Sequence, residues 1–424
     1  MRIVVKFSTI AIALLFATEL EAFVVAGSSP TNSAPYPNSV VVGGENNSIP
    51  ASYKFSGILA GYINQINANF SAVLSGYNNE NNGSTSVISG GVYNQILAPY
   101  NTIAGGASNK ITESHSTISG GQSNQIMSAY STISGGVHNK VSEAFSTISG
   151  GENNQIFSQY STVSGGLNNE ANNSVSTVSG GQSNQASGYL STVGGGILNK
   201  SKGTASFSVG SENLASGVGS LSMGYKNIAS GGHSTAIGYK NTASASYTTA
   251  LGNTVEAKHL GAMVLGDGQT GLRESTFDNS LSAFFNGGYF FHTAGDITGS
   301  TGVSINAGGG AWNTMSDKNK KENFKTVDKQ EILDKLVAMP VDSWNYKTQN
   351  KNITHIGPYA QDFNKAYGLG DGKLSISTID SNGIALVSVQ ALAERNKILN
   401  QKNKELEHKM NSLEARLSKI ENHL

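Results

Sequence analysis

Short apolar runs recur along residues 43–268 with a fixed spacing and never lengthen into a helical face. One copy reads Ser131-Thr132-Ile133-Ser134-Gly135-Gly136-Val137-His138-Asn139-Lys140-Val141. Ile133 and Val141 stand for two apolar positions per copy, set among Ser and Thr in β-prone runs. Asn recurs at 64, 79, 94, 109, 124, 139, 154, 169, 184 and 199, a period of 15, then at 213, 227 and 241, a period of 14. Gly-Gly precedes many of these asparagines, from 90/91 to 195/196; the 14-residue copies keep one glycine, at 210, 224, 238, 252 and 266. A copy with one or two apolar side chains per strand cannot bury a core alone. It must stack coil on coil, and chain on chain. The pattern predicts a mainly β repeat, a β-solenoid or β-roll with inward apolar residues on every turn.

Two readings of the asparagine follow. It points inward and forms a ladder up the stack, or it fits a left-handed turn. Tyr100, His115, Tyr130, Phe145 and Tyr160 fall at one place in the repeat and should line one face. Such a stripe is more often packing, here between protomers, than a ligand surface.

After residue 268 the period lapses. Phe284-Phe285 and Tyr289-Phe290-Phe291 flank Asn286-Gly287-Gly288, a hairpin signal. Residues 269–315 read as a β-rich connector that delivers Gly308-Gly309-Gly310 to the next boundary. There the charge jumps: residues 316–424 hold 17 Lys/Arg and 14 Asp/Glu, 31 of the 56 charged residues in the chain. This segment reads as α+β. Residues 330–337 form a helix stopped by Pro340, and 341–346 and 355–357 form strands. A helix follows through Phe363 and Tyr367, and 376–379 form a further strand. From Gly383 the pattern is helical. Leu392, Leu399, Leu406, Leu413 and Ile420 recur every seven residues, with Asn396, Asn403, Met410, Leu417 and Leu424 between them, a coiled-coil seam over 384–424 that implies self-association.

Composition narrows the classes. Lys+Arg and Asp+Glu both number 28, so electrostatics imply neither nucleic acid nor an anionic membrane. Residues 1–22 have the form of an export signal, with Arg2 and Lys6 before a short apolar run that is too short to span a bilayer. No other segment is apolar enough to span, so the chain is expected to be secreted or held at the cell surface. Residues 23–42 read as a leader. There is no cysteine, so stability must come from stacking or oligomerisation. No HExxH or Walker pattern is present, and no metal or other cofactor is expected. No acidic pair stands out in the repeats, which argues against a glycoside hydrolase.

The one nucleophile beside a candidate base at a composition boundary is Ser316, with Lys321 five residues on. A lysine takes a serine proton only when neutral, which needs desolvation or cationic neighbours. Read alone, a serine near lysines more often marks a solvated turn.

Ser316-Asp317-Lys318-x-x-Lys321-Glu322-Asn323, then Trp344-Asn345-Tyr346 and His355-Ile356-Gly357-Pro358-Tyr359-Ala360-Gln361-Asp362, resembles the intramolecular chaperone domain of phage endosialidase tailspikes, the peptidase S74 family. The resemblance covers about residues 312–424. It implies a domain that helps three chains of a β-structured fibre assemble and then cuts itself off. The cut falls between Met315 and Ser316, with Ser316 as nucleophile and Lys321 as general base. Asp317, Glu322 or Asn323 would orient the groups, and the Asn323 amide would face the developing oxyanion. His355 either moves a proton near Ser316 or is a strand residue with a satisfied ring. Lys318 stands where arginine is common in the family. Separately, copies such as Ser234-Thr235-Ala236-Ile237-Gly238-Tyr239-Lys240-Asn241-Thr242-Ala243 resemble the head of trimeric autotransporter adhesins. That implies three left-handed β-rolls side by side over about residues 40–268. The function these resemblances imply is a homotrimeric, adhesin-like fibre, with a host-surface or glycan ligand, that releases its own assembly domain in a single turnover. The alternatives are a trimerisation domain that does not cut, and a tailspike-like protein that binds or processes polysaccharide.

Overall fold

The computed structural model describes residues 23–24, 30–36, 38–268, 271, 273–294, 301–370 and 372–422. The export-signal stretch 1–22 and Leu424 lie outside them. The described residues divide into two compact units between Asn286 and Gly287.

The first unit is a β-solenoid of about 16 coils. Each coil sends one strand to each of two parallel sheets, of 18 and 15 strands. The sequence period is the register: Thr132 pairs with Thr147 and Ile133 with Ile148, while Lys140 pairs with Gln155 and Val141 with Ile156. Strands alternate their side chains, so every second residue points inward. Ile118, Ile126, Ile133, Val141, Ile148 and Ile156 are fully buried, two per coil as the pattern predicts.

The asparagines form the ladder. Asn139 is fully buried. Its amide donates to Gly135 O at 3.0 Å and to Gly151 O, one coil on, at 2.9 Å. Its Oδ1 accepts the Asn154 N–H at 3.0 Å. The left-handed corner belongs to the residue before it, His138, at φ 55°. The asparagine is therefore there for its hydrogen bonds, which satisfy backbone groups that the coil would otherwise bury unpaired.

The aromatic stripe occupies a second left-handed corner, with Tyr130 at φ 57° and Phe145 at φ 57°. Its rings stack up the solenoid. Centroids are 4.8 Å apart from Tyr100 to His115 and from His115 to Tyr130, then 5.0 Å to Phe145 and 5.1 Å to Tyr160. The packing lies between coils of one chain, and each inner ring has both faces covered.

The change of period changes the coil. In the 15-residue copies the strand is two residues long, as in Thr132–Ile133, and ends before the Gly-Gly pair. In the 14-residue copies one glycine remains and the strand runs for five, as in Phe207–Ser211. The ladder slips once, between Val193 and Gly196. The interior also changes. One apolar cluster ends at Val193 and the next begins at Ala229. Between them the inside holds Ser201, Ser208, Ala215 and Ser222, all fully buried.

A second serine column records the same switch. In the long coils Ser146 Oγ accepts the Ser161 N–H at 3.2 Å and donates to carbonyls at 3.1 Å. In the short coils the N–H of Ser220 turns to Gly217 O in its own coil. That leaves Ser220 Oγ buried without a partner, as it does Ser206 and Ser234. The same substitution should therefore have opposite effects in the two settings. Ser146→Ala leaves a buried N–H unmatched and should destabilise by about 1–2 kcal/mol, whereas Ser220→Ala removes an unpaired hydroxyl and should be neutral or slightly stabilising. Urea midpoints of the two variants test this; equal losses would count against it.

The chain departs from the sequence reading in three places. The parallel ladder continues past residue 268: Leu281–Phe284 pairs with Met263–Gly266 at an offset enlarged to 18 residues. Asn286-Gly287-Gly288 is accordingly not a hairpin turn. The Asn286 N–H donates to Asp267 and its Oδ1 accepts from Arg273, which ties it to the last coil. Gly288–Ala294 instead pairs antiparallel with Thr301–Asn306, which pairs in turn with Asn313–Thr314. Finally, 376–379 is not a strand. Ser377 caps the Ile379 N–H at 3.2 Å and Asp380 occupies the first turn, so the last helix opens at Thr378 and Gly383 lies inside it.

The second unit holds three α-helices among its described residues. α1 is Lys329–Ala338, capped by Asp328, which accepts from the Gln330 and Glu331 N–H groups. α2 is Ala360–Tyr367, closed by Gly368 at φ 64°. α3 is Thr378–Glu421, 44 residues and about 66 Å long at 1.5 Å per residue. Asp342–Trp344 and His355–Gly357 form a two-stranded hairpin. The core is small: Leu333, Phe363, Ile384 and Ala391 are the buried apolar residues. Beyond it, α3 carries Leu399, Leu406, Met410, Leu413, Leu417 and Ile420 exposed in the single chain.

Candidate functional site

The boundary motif sits where a strand gives way to a turn. Asn313–Thr314 pairs with Val303 and Ser304, and the Met315 N–H reaches Gly302 O at 3.3 Å. The chain then leaves the sheet. Asp317 accepts the Asn319 N–H at 2.9 Å and caps a single 3₁₀ turn, Lys318–Lys320. The Lys321 N–H closes that turn on Lys318 O at 3.1 Å. Five residues of separation are thereby folded back, and Lys321 Nζ donates to Ser316 Oγ at 2.5 Å. Both residues are exposed in the single chain. Asn323 follows in the left-handed region, at φ 58°, and its side chain has no hydrogen bond among the described residues.

His355 lies elsewhere on the same unit. Its Nε2 shares a 2.9 Å hydrogen bond with Gln349 Oε1. Its ring packs against Trp344 at 4.9 Å and Tyr346 at 5.9 Å. Among the described residues it has no hydrogen bond to Ser316 or Lys321. The structure thus joins Ser316, Asp317 and Lys321 in one turn and sets His355 in an aromatic cluster on the hairpin. Gln349 escaped the sequence reading. It lies in a polar turn three residues after Tyr346, with no periodicity to mark it. At the hairpin's other end the Asp342 carboxylate raises the pKa of the Tyr359 phenol.

No group of side chains able to hold a metal occurs among the described residues, and no described helix is long and apolar enough to cross a membrane.

A stacked repeat followed by a small, incompletely buried helical unit defines the class: a β-solenoid with a small helical unit after it. Residues 316–368 match the family model Peptidase_S74, the chaperone of endosialidase. The match opens on Ser316, takes in Lys321 and His355, and stops short of α3. No curated protein matches the chain. The chain thus carries, behind a β-solenoid repeat region, a segment similar to the Peptidase S74 chaperone, and this combination fits a trimeric fibre with an assembly domain.

Proposed function

We propose that the chain is exported, assembles with two further copies into an adhesin-like fibre through its C-terminal domain, and then cuts the Met315–Ser316 bond. The observation that carries assembly is the seam of α3. Leu406, Met410, Leu413, Leu417 and Ile420 are each more than half exposed in one chain. Burying a leucine-sized side chain is worth about 1.5–3 kcal/mol, so a 44-residue helix with this face gains most of its stability from copies of itself.

The Ser316–Lys321 contact supports the cutting step. Ser316 Oγ attacks the Met315 carbonyl carbon as a neutral Lys321 amine accepts the hydroxyl proton. The C–N bond breaks, the proton passes to the Ser316 nitrogen, and an ester joins Met315 to Ser316 Oγ. Water then hydrolyses the ester, leaving a Met315 carboxylate and a free Ser316 amine and hydroxyl. Burial disfavours the charged form of an amine. Because the pair is exposed in the single chain, closure of the assembly is what would desolvate it. This order makes cutting follow assembly.

The test is the intact mass of the purified protein beside Ser316→Ala and Lys321→Ala. A wild-type fragment beginning at Ser316, absent from both variants, is expected. If wild type stays whole after the trimer has formed, the domain is a permanent trimerisation cap and the cutting step is withdrawn.

A further inference from the structure

The seam of α3 has two columns. Leu392, Leu399, Leu406, Leu413 and Ile420 form one; Val389, Asn396, Asn403, Met410 and Leu417, each three residues earlier, form the other. This spacing fixes the residues at the two edges of the contact face. One edge carries Arg395, Lys402, Lys409 and Arg416. The other carries Glu407, Glu414 and Glu421, preceded by the uncharged Ala393 and Asn400. All of these residues are exposed. Among the described residues none pairs within the chain; the ion pair α3 makes to α1 uses Glu394, which is off this face.

The separation by sign decides how copies meet. In a parallel, in-register coil the basic edge of one helix faces the acidic edge of the next, five residues further on. Lys402 then faces Glu407, Lys409 faces Glu414, and Arg416 faces Glu421. In an antiparallel coil the basic edges face each other, and so do the acidic ones. A slip of one heptad loses a pair at the end. All three pairs fall in the C-terminal half of α3, where from Leu406 on the apolar columns run without a break. Asn396 and Asn403 interrupt the column before that point, and an asparagine at a core position weakens the contact.

We propose that Lys402–Glu421 is where copies of this chain first join, and that its charged edges set them parallel and in register. This rests on the reading of the chain as self-associating, and it adds orientation and starting point. The rest of the seam then closes towards α1.

The chain has no cysteine, so one introduced thiol reports alone. In full-length Leu417→Cys, oxidation is expected to link copies at this one position, which requires equal residues side by side. Combined Glu407→Lys, Glu414→Lys and Glu421→Lys should weaken self-association by about a hundredfold at moderate salt. Mixing that chain with Lys402→Glu, Lys409→Glu, Arg416→Glu should restore it. Leu413→Ala should slow assembly more than Leu392→Ala. If the wild type assembles but Leu417→Cys does not cross-link, or the reversal has no effect, the orientation is wrong while self-association stands. A larger slowing by Leu392→Ala overturns the starting point. A wild type that stays monomeric ends the reading on which the inference rests.

Discussion

Gly136→Ala is expected to unfold the coils around it at a cost above about 4 kcal/mol, in the range reserved for specific structural insults. A Cβ at Gly136 would lie 2.1 Å from Gly151 O, 2.5 Å from Asn139 Nδ2 and 2.8 Å from Gly151 N. None of these can step aside. Gly151 O accepts the Val137 N–H at 2.9 Å and also the Asn139 amide, so moving it breaks the backbone ladder and the asparagine ladder together. The backbone at φ 89° adds its own strain. Its neighbour supplies the control. A methyl group at Gly135 would meet nothing within 4 Å, so Gly135→Ala carries only the backbone strain of its φ of 154° and should cost less, about 1–3 kcal/mol. Thermal unfolding of the two variants, followed by circular dichroism, decides the matter. Similar losses would mean that the tight approach of successive coils is not what demands glycine.

Synthesis of the chain without residues 316–424 is expected to give aggregate in place of a soluble trimer. The solenoid's sheets leave strands at their ends with unpaired N–H and C=O groups, and such edges recruit other chains. Apolar strands exposed during folding add to that hazard. In the proposed assembly the seam of α3 is what brings copies together while this happens. A chain cut after assembly has passed that stage and should remain soluble, so the informative comparison is between the two routes to the same Met315 end. Size-exclusion chromatography with light scattering on both products tests it. A native trimer from the truncated gene would end the chaperone reading.

Much of this was legible in the residues, for identifiable reasons. A period of 15 in Asn and Gly is a register, because stacked coils of equal length put equal residues in contact; Ile133 above Ile148 follows directly. The seven-residue leucine and isoleucine spacing of α3 is as plain. The asparagine's role was open because two physical causes, a left-handed corner and a buried amide, favour the same residue. Only the backbone angles separate them, and they fall on His138. The coil over Leu281–Phe284 was hidden because its offset is 18 residues rather than 14 or 15. The start of α3 was missed because β-branched Ile376 and Ile379 suggested a strand, while the deciding signal was the Ser377 cap. At the boundary motif, the five-residue spacing allowed a Ser316–Lys321 contact, and the cap from Asp317 made it. His355 carried no such local constraint, and its partner Gln349 gave no pattern to read.

The serine-lined interior between Val193 and Ala229 bears on how the solenoid responds to tension. Every bond between coils, such as Thr132 N–H to Ser146 O at 3.0 Å, runs along the stacking direction. A pull along that direction therefore loads the coils in series, like links, and the stack yields at its weakest link instead of shearing as a whole. Stacked repeats are stabilised coil by coil and contact by contact. Isoleucine-lined coils have large apolar contacts with their neighbours; those lined by Ser201, Ser208 and Ser222 have little. The place where the repeat shortens is thus also where it should part first under load, while the isoleucine-lined stretch before it stays wound.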